Sequence, residues 1–344
     1  MKKLKALLSI VLTFVLILTV GGCTKKTSEG TKDLTKVRLN EVVRSVFYAP
    51  MYAAINNGYF QEEGIEIDLS TGQGADKTMQ QVLSKNADIG FAGPEQVVYI
   101  NNQGRDDYPI LFASLTQKDG SFLVSRTDEK DFKWESLKGK TVIGGRPGGV
   151  PQMTLEYVLK NHGLQPGTDV QFVTNLDFTA TAAAFKSGTG NYVALFEPTA
   201  TVLEKDGGGY IVSSIGKEAG SIAYTAFFAT KSYIDENPET VQSFTNAIYK
   251  GQLWVSSHSD EEVAKAIASF FPGTDIDILA NVVKNYRDAD AFAPDPTVKA
   301  ENLTKLMDVI QSYDQKLIPN RPEYSKIVNP DFAEKALNSV KLSK

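Results

Sequence analysis

From Val37 onward the chain alternates two apolar patterns. Short runs rich in β-branched and aromatic residues predict strands at Val37 to Val42, Ile65 to Ser70, Asp88 to Ala92 and Pro109 to Ser114. Between them, Pro50 to Asn57, Ala75 to Lys85 and Glu95 to Gln103 space their apolar positions as helices do. The rhythm then repeats. Phe122 to Ser125, Thr141 to Gly144, Asp169 to Thr174, Tyr192 to Phe196 and Tyr210 to Ser213 predict strands, with helices at Pro151 to Asn161 and Asp177 to Lys186. Strands that alternate with helices imply crossover units and largely parallel sheets. Two such units in succession predict an α/β protein with two lobes. From Ser232 the pattern turns helical, and its helix starts are marked. Asn237-Pro238-Glu239 and Asp295-Pro296 place Pro in a first turn, and Ser259-Asp260-Glu261-Glu262 has capping-box spacing.

The N-terminus follows another logic. Lys2, Lys3 and Lys5 precede an apolar run from Ala6 to Val20, shorter than the ~20 residues of a spanning helix. The run ends in Leu18-Thr19-Val20-Gly21-Gly22-Cys23, which reads as a lipoprotein signal of residues 1–22 with Cys23 as the lipidated residue. Residues 23–36 are polar and read as a flexible tether. The protein is therefore expected on the extracytoplasmic face of the cell membrane, held by lipid alone.

Charge and composition narrow the function. There are 36 basic and 41 acidic residues, a net charge of −5, so no basic excess is available for phosphate and nucleic acid is not expected as a partner. One Cys and two His exclude a disulfide framework and a Cys/His zinc site. His162 precedes Gly163 at a helix end and reads as a dipole-stabilising residue; His258 reads as a solvated loop residue. No G-x-S-x-G elbow, H-E-x-x-H, P-loop or complete dinucleotide fingerprint occurs. The chain is expected to be neither an enzyme nor a cofactor or metal carrier.

Ligands of open α/β sheets sit beyond the carboxyl ends of the strands. The loops there are Arg44 to Pro50, Gly72 to Asp76, Ala92 to Glu95, Gly145 to Pro151, Asn175 to Phe178 and Glu197 to Thr199. They combine Gly and Pro turns, hydrogen-bonding side chains and aromatic faces, and helix N-termini supply N–H donors. The candidate binding residues are Ser45, Phe47, Tyr48, Gln73, Gly74, Gly93, Glu95, Arg146, Gly148, Gly149, Phe178, Glu197 and Tyr224. Arg146 is expected either to meet an anionic group of the solute or to clamp Glu95 or Glu197 across the cleft on closure.

Tyr48 to Ala54, Asn57 to Ile65, Val82 to Gly90, Leu137 to Val142, Phe185 to Gly188 and Ala194 to Pro198, in that order, resemble the solute-binding proteins of ABC importers for nitrate, sulfonates, taurine and thiamine precursors. The resemblance spans nearly all of the chain after the signal. It implies a two-lobed periplasmic-binding-protein-like fold of type II-like architecture, with two crossing segments near Thr116 to Ser121 and Ala223 to Ala226. Lobe 1 would comprise residues 37–118 plus 226–344, with the helical tail on it, and lobe 2 residues 119–225. The implied function is capture of a small organic or anionic solute by a monomer and its delivery to an ABC permease. A sensory module and a thiamine-pyrimidine-synthase-like enzyme are the alternatives; the enzyme relatives carry a Cys-rich motif absent here. Thiamine-precursor binders open on an acidic-aromatic stretch with a His. Glu41-Val42-Val43-Arg44-Ser45-Val46-Phe47-Tyr48 stands in its place, so the ligand does not transfer.

Overall fold

Ten strands carry the architecture, and a computed structural model describes them within residues 34–341. They are β1 (Thr35–Glu41), β2 (Ile65–Thr71), β3 (Ile89–Ala92), β4 (Pro109–Thr116), β5 (Ser121–Ser125), β6 (Thr141–Ile143), β7 (Gln171–Val173), β8 (Tyr192–Phe196), β9 (Tyr210–Ser214) and β10 (Thr225–Thr230). One sheet has the order β2-β1-β3-β10-β4 and the other β7-β6-β8-β5-β9. In the first, β1, β2 and β3 run parallel, while β10 is antiparallel to both β3 and β4. The second repeats the scheme, with β6, β7 and β8 parallel and β5 antiparallel to β8 and β9. The fold is the expected two-lobed α/β one. The signal and Cys23 lie outside the described residues, as does most of the tether; among the described residues no helix is long and apolar enough to cross a membrane.

Burial explains which patterns were legible. Edge strand β2 alternates buried or half-buried with exposed positions, whereas β3 and β10 are buried at every position. A strand covered on both faces loses its alternation, and a short apolar run then carries no period. The pattern gave no strand at Thr225–Thr230 for that reason, although β10 is an inner strand of its sheet. Helices Thr199–Lys205 and Ile215–Ala219 were also not anticipated; they are seven and five residues long, too short to display a stripe.

The chain leaves the first sheet after β4, builds the whole second sheet and returns as β10. The two connections touch: Ile222 N donates to Gln117 O at 2.9 Å, and Thr116 Oγ1 donates to Thr225 Oγ1 at 2.8 Å. Gly120 lies against the Phe47 ring, so closely that a Cβ there would stand 2.7 Å from it. Any side chain at residue 120 would force that buried ring aside.

The helical tail does more than cover one lobe. Pro238–Ser257 packs on Ala49–Asn56, whereas Ala300–Tyr313 packs on Val150–Asn161, which follows β6 of the second sheet. Lys305 Nζ donates to the Tyr157 hydroxyl at 3.0 Å across that contact. The capping box at Ser259 forms as its spacing predicts. Asp295-Pro296 starts no helix: Asp295 accepts from Thr297 N, and the Pro296 carbonyl accepts from Ser114 N of β4. That carbonyl is spent on the sheet, and the helix begins at Ala300. His162 caps its helix as expected, but His258 is half-buried and stacks on Trp254 with centroids 4.1 Å apart, not free in a loop.

Candidate functional site

The carboxyl ends of β1, β2, β3, β6, β7 and β8 point to one place, and antiparallel β10 starts there. A cavity of about 600 Å³ lies at this convergence. Its size is that of a small-molecule site, for which roughly 300–1,000 Å³ is usual. The first sheet contributes Val42 and Val43 after β1, Gln73 to Lys77 after β2, Gly93 and Glu95 after β3, and Tyr224 and Thr225 at the start of β10. The second contributes Gly145, Arg146 and Gly149 to Pro151 after β6, Thr174 to Thr179 after β7, and Phe196 closing β8. Tyr48 completes the lining from the turn that leads into Ala49–Asn56.

Helices Ala75–Leu83, Glu95–Asn102, Val150–Asn161 and Phe178–Lys186 all begin at the wall. Their free N–H groups and partial positive ends give the cavity donors independent of side chains. The aromatic faces are Tyr48, Phe178, Phe196 and Tyr224. Phe178 is 37% exposed, and its ring meets Phe196 edge-on at 5.9 Å.

The charged lining is Asp76, Lys77, Glu95, Arg146 and Asp177. Arg146 Nε stands 3.5 Å from Asp76 Oδ1, which links the loop after β6 to the helix after β2. Among the described residues the salt bridge of Arg146 is thus to Asp76, and not to Glu95 or Glu197.

Glu95 is the unusual carboxyl. It is 1% exposed, and Gln96 Nε2 donates to its Oε1 at 3.3 Å. Its Oε2 has no hydrogen-bond partner among the described residues. Burial pushes its pKa up to about 7, against weaker lowering influences from Gln96 and Arg146. Gly93 makes room for it, since a Cβ there would lie 2.0 Å from Oε2. Asp119, in the outgoing connection, is a second raised carboxyl, at about 6 by burial, although Ser121 donates to its Oδ1 from both N and Oγ.

Of the residues expected from sequence, the structure gathers Tyr48, Gln73, Gly74, Gly93, Glu95, Arg146, Gly149, Phe178 and Tyr224 around the cavity. It places Ser45, Phe47, Gly148 and Glu197 behind the wall, each for a physical reason. Phe47 is fully buried among Tyr48, Phe196, Tyr224 and Tyr286. Ser45 Oγ donates to the Glu197 carbonyl at 3.1 Å. The Gly148 carbonyl accepts from the Tyr99 hydroxyl at 3.0 Å. Glu197 accepts from Thr201 N at 2.8 Å, Thr201 Oγ1 at 2.7 Å and Asn285 Nδ2 at 2.8 Å, which occupies both of its oxygens.

Val42, Val43, Lys77 and Thr225 line the cavity without having been expected. The valines read as the continuation of β1, and Lys77 as a surface position of its helix. Thr225 belongs to the strand whose pattern is silent. The order of strand ends around the cavity, once the sheets are known, identifies the valines and Thr225 directly.

The NMT1/THI5 like family model matches residues 46–262. YtlA of Bacillus subtilis (strain 168), provisionally named a binding protein, is 44% identical over 304 residues, which is 88% of this chain and 90% of YtlA. A formylaminopyrimidine-binding protein of Halalkalibacterium halodurans is 25% identical over 256 residues, covering 71% of this chain and 74% of that one. Among solved structures, the alkanesulfonate-binding protein SsuA of Xanthomonas axonopodis pv. citri, bound to MOPS, superposes with a TM-score of 0.69 over 87% of this chain and 99% of its own, at 15% identity. At that identity the likeness speaks for the fold. Sequence and fold agree, and the chain belongs to the NMT1/THI5-like family, built on the periplasmic-binding-protein fold.

Proposed function

We propose that the protein is an extracytoplasmic solute-binding lipoprotein that captures a small organic or anionic solute between its lobes and presents it to the permease of an ABC importer. The observation that carries this reading is the cavity of about 600 Å³ at the meeting of six strand ends from two sheets. The binding-protein names of its relatives support it, as does the signal-like segment ending at Cys23. In this reading lobe 1 comprises residues 37–118 plus 226–344 and lobe 2 residues 119–225. The connections near Thr116 to Ser121 and Ala223 to Ala226 act as the hinge, and the lobes move as near-rigid bodies about them. The solute contacts are assigned to Tyr48, Gln73, Gly74, Gly93, Glu95, Arg146, Gly149, Phe178 and Tyr224.

The protein isolated gently from its host should carry a non-covalent small molecule visible by native mass spectrometry. Removing it should expand the particle in small-angle scattering, and adding it back should compact it. A chemically altered solute after long incubation would contradict the reading. Cys23→Ala should release the protein from the membrane fraction; retention there would contradict the anchor.

A further inference from the structure

Resting on the reading of two lobes that turn about their connections, we propose that Glu197 is a third, non-covalent member of the hinge. It pins the end of β8 to lobe 1 and so positions Phe196 in the cavity wall. Phe196 pairs with Ser121, so Glu197 emerges beside the outgoing connection, on a strand that belongs to neither connection. Lobe 1 grips it there at three different groups. Its carbonyl accepts from Ser45 Oγ at 3.1 Å, its N–H donates to the Tyr286 hydroxyl oxygen at 3.1 Å, and its Oε1 accepts from Asn285 Nδ2 at 2.8 Å. Ser45 stands in the turn after β1, and Asn285 and Tyr286 in the tail helix Ile276–Asp288. Thr201, in lobe 2, donates to the same carboxylate from N and Oγ1 and fixes its orientation.

Burial makes this grip costly to break. Glu197, Ser45 and Tyr286 are all buried, and parting them leaves desolvated polar groups without partners. Apolar packing follows the same line. The Phe47 ring of lobe 1 lies 6.3 Å from Phe196 and 4.8 Å from Tyr286 between centroids, and helix Ile276–Asp288 packs on helix Thr199–Lys205 of lobe 2. Other polar contacts between the halves are thinner. Tyr99 to Gly148 and Lys305 to Tyr157 are single hydrogen bonds from half-buried side chains, and the Arg146–Asp76 pair joins side chains 40% and 44% exposed. Such exposed pairs yield most readily. Sheet order gives the lever. β5 carries the outgoing connection, β8 lies next to it, and β6 and β7 lie farther out. Lobe 2 turns about an edge through the two connections and Glu197. The loops after β6 and β7 travel farthest, while Phe196 keeps its place beside Phe47.

Distances between paired spin labels, read by electron paramagnetic resonance, test this. Cys23 is the one native cysteine, so in the full chain with Cys23→Ala the labels go only to introduced cysteines. One pair spans the cleft, at Gln80→Cys and Ser187→Cys, and the other spans the joint, at Lys205→Cys and Asn281→Cys; all four positions are exposed. Removing the solute retained from the host should change the cleft distance and leave the joint distance as it was. In the solute-free protein, Asn285→Ala should raise the share of molecules outside the parent's joint distance range by about tenfold or more. Tyr286→Phe, which keeps the ring and loses only the hydroxyl, should raise it in the same sense. Thr201→Val removes a hydrogen bond from the same carboxylate within lobe 2 and should leave the joint distances unchanged, which tells a lost joint from a mere loss of stability. A joint distance that moves as much as the cleft distance, or Asn285→Ala and Tyr286→Phe proteins with joint distances no broader than those of Thr201→Val, overturns the pivot and leaves the lobes standing. A cleft distance that does not respond to removal of the solute overturns both.

Discussion

Glu95 and Glu197 occupy matching places in the two halves of the molecule. Each follows the end of an inner parallel strand, β3 or β8, each has a proline beside it, and each is 1% exposed. Burial raises both pKa values. Yet Glu197 accepts three hydrogen bonds and sits behind the wall, while Glu95 lines the cavity with Oε2 unmatched. The donors make the difference. Thr201 stands one turn along from Glu197, and Asn285 reaches it from helix Ile276–Asp288 of the tail. Among the described residues only the side chain of Gln96 donates to Glu95, at a long 3.3 Å. A buried carboxyl with its donors supplied becomes part of the packing; one without them keeps an unmatched oxygen.

Perturbing the packed side should cost most. Phe47→Ala empties the space between Tyr48, Tyr224 and Tyr286 and should destabilise the protein by about 3–5 kcal/mol, measured by denaturant unfolding. A loss below about 1 kcal/mol would show that this ring does not hold the lobe junction. Glu197→Ala strands the donors of Thr201 and Asn285 and should cost about 2–4 kcal/mol, with solute affinity changing mainly through loss of folded protein. The same change at Glu95 should spare stability at pH 7 and act on binding.

Titration sharpens the contrast. The Glu95 pKa rises from 4.5 to about 7 on folding, so the folded state binds the extra proton. The resulting stability is fully present below about pH 4.5 and lost as pH rises through about 7. By the usual 1.36 kcal/mol per pKa unit it amounts to at most about 3.4 kcal/mol for the empty protein. Glu95→Gln should flatten that part of the profile, in melting curves recorded from pH 4.5 to 8. An unchanged slope would mean that another carboxyl, such as Asp119, sets it. The smallest effect is expected at Arg146. Its pair with Asp76 joins side chains 40% and 44% exposed, so Arg146→Ala should change stability by less than about 1 kcal/mol. A larger loss would make the pair a true latch between the loops.

The sequence shows the α/β alternation, the two-sheet plan and most of the loops that line the cavity, because edge strands, helix caps and Gly/Pro turns leave local marks. It does not show β10, whose burial on both faces erases the period. Nor does it separate Glu95 from Glu197. Both stand beside a proline at a strand end; Thr201, four residues along, is a local difference, but the third donor to Glu197 is Asn285, 88 residues downstream. The Arg146–Asp76 pair is illegible for the same reason: it depends on how a loop and a helix start 70 residues apart are brought together. Phe47 and Ser45 lie in the same turn as Tyr48, and only packing decides which of the three faces the cavity.

A crystal structure of the protein with the solute it retains from its host tests the account most directly. The account predicts electron density in the cavity between Phe178 and Tyr48, with Glu197 still held by Thr201 and Asn285 behind the wall. A solute bound outside this cavity, or one that takes the place of Thr201 and Asn285 on Glu197, would contradict it.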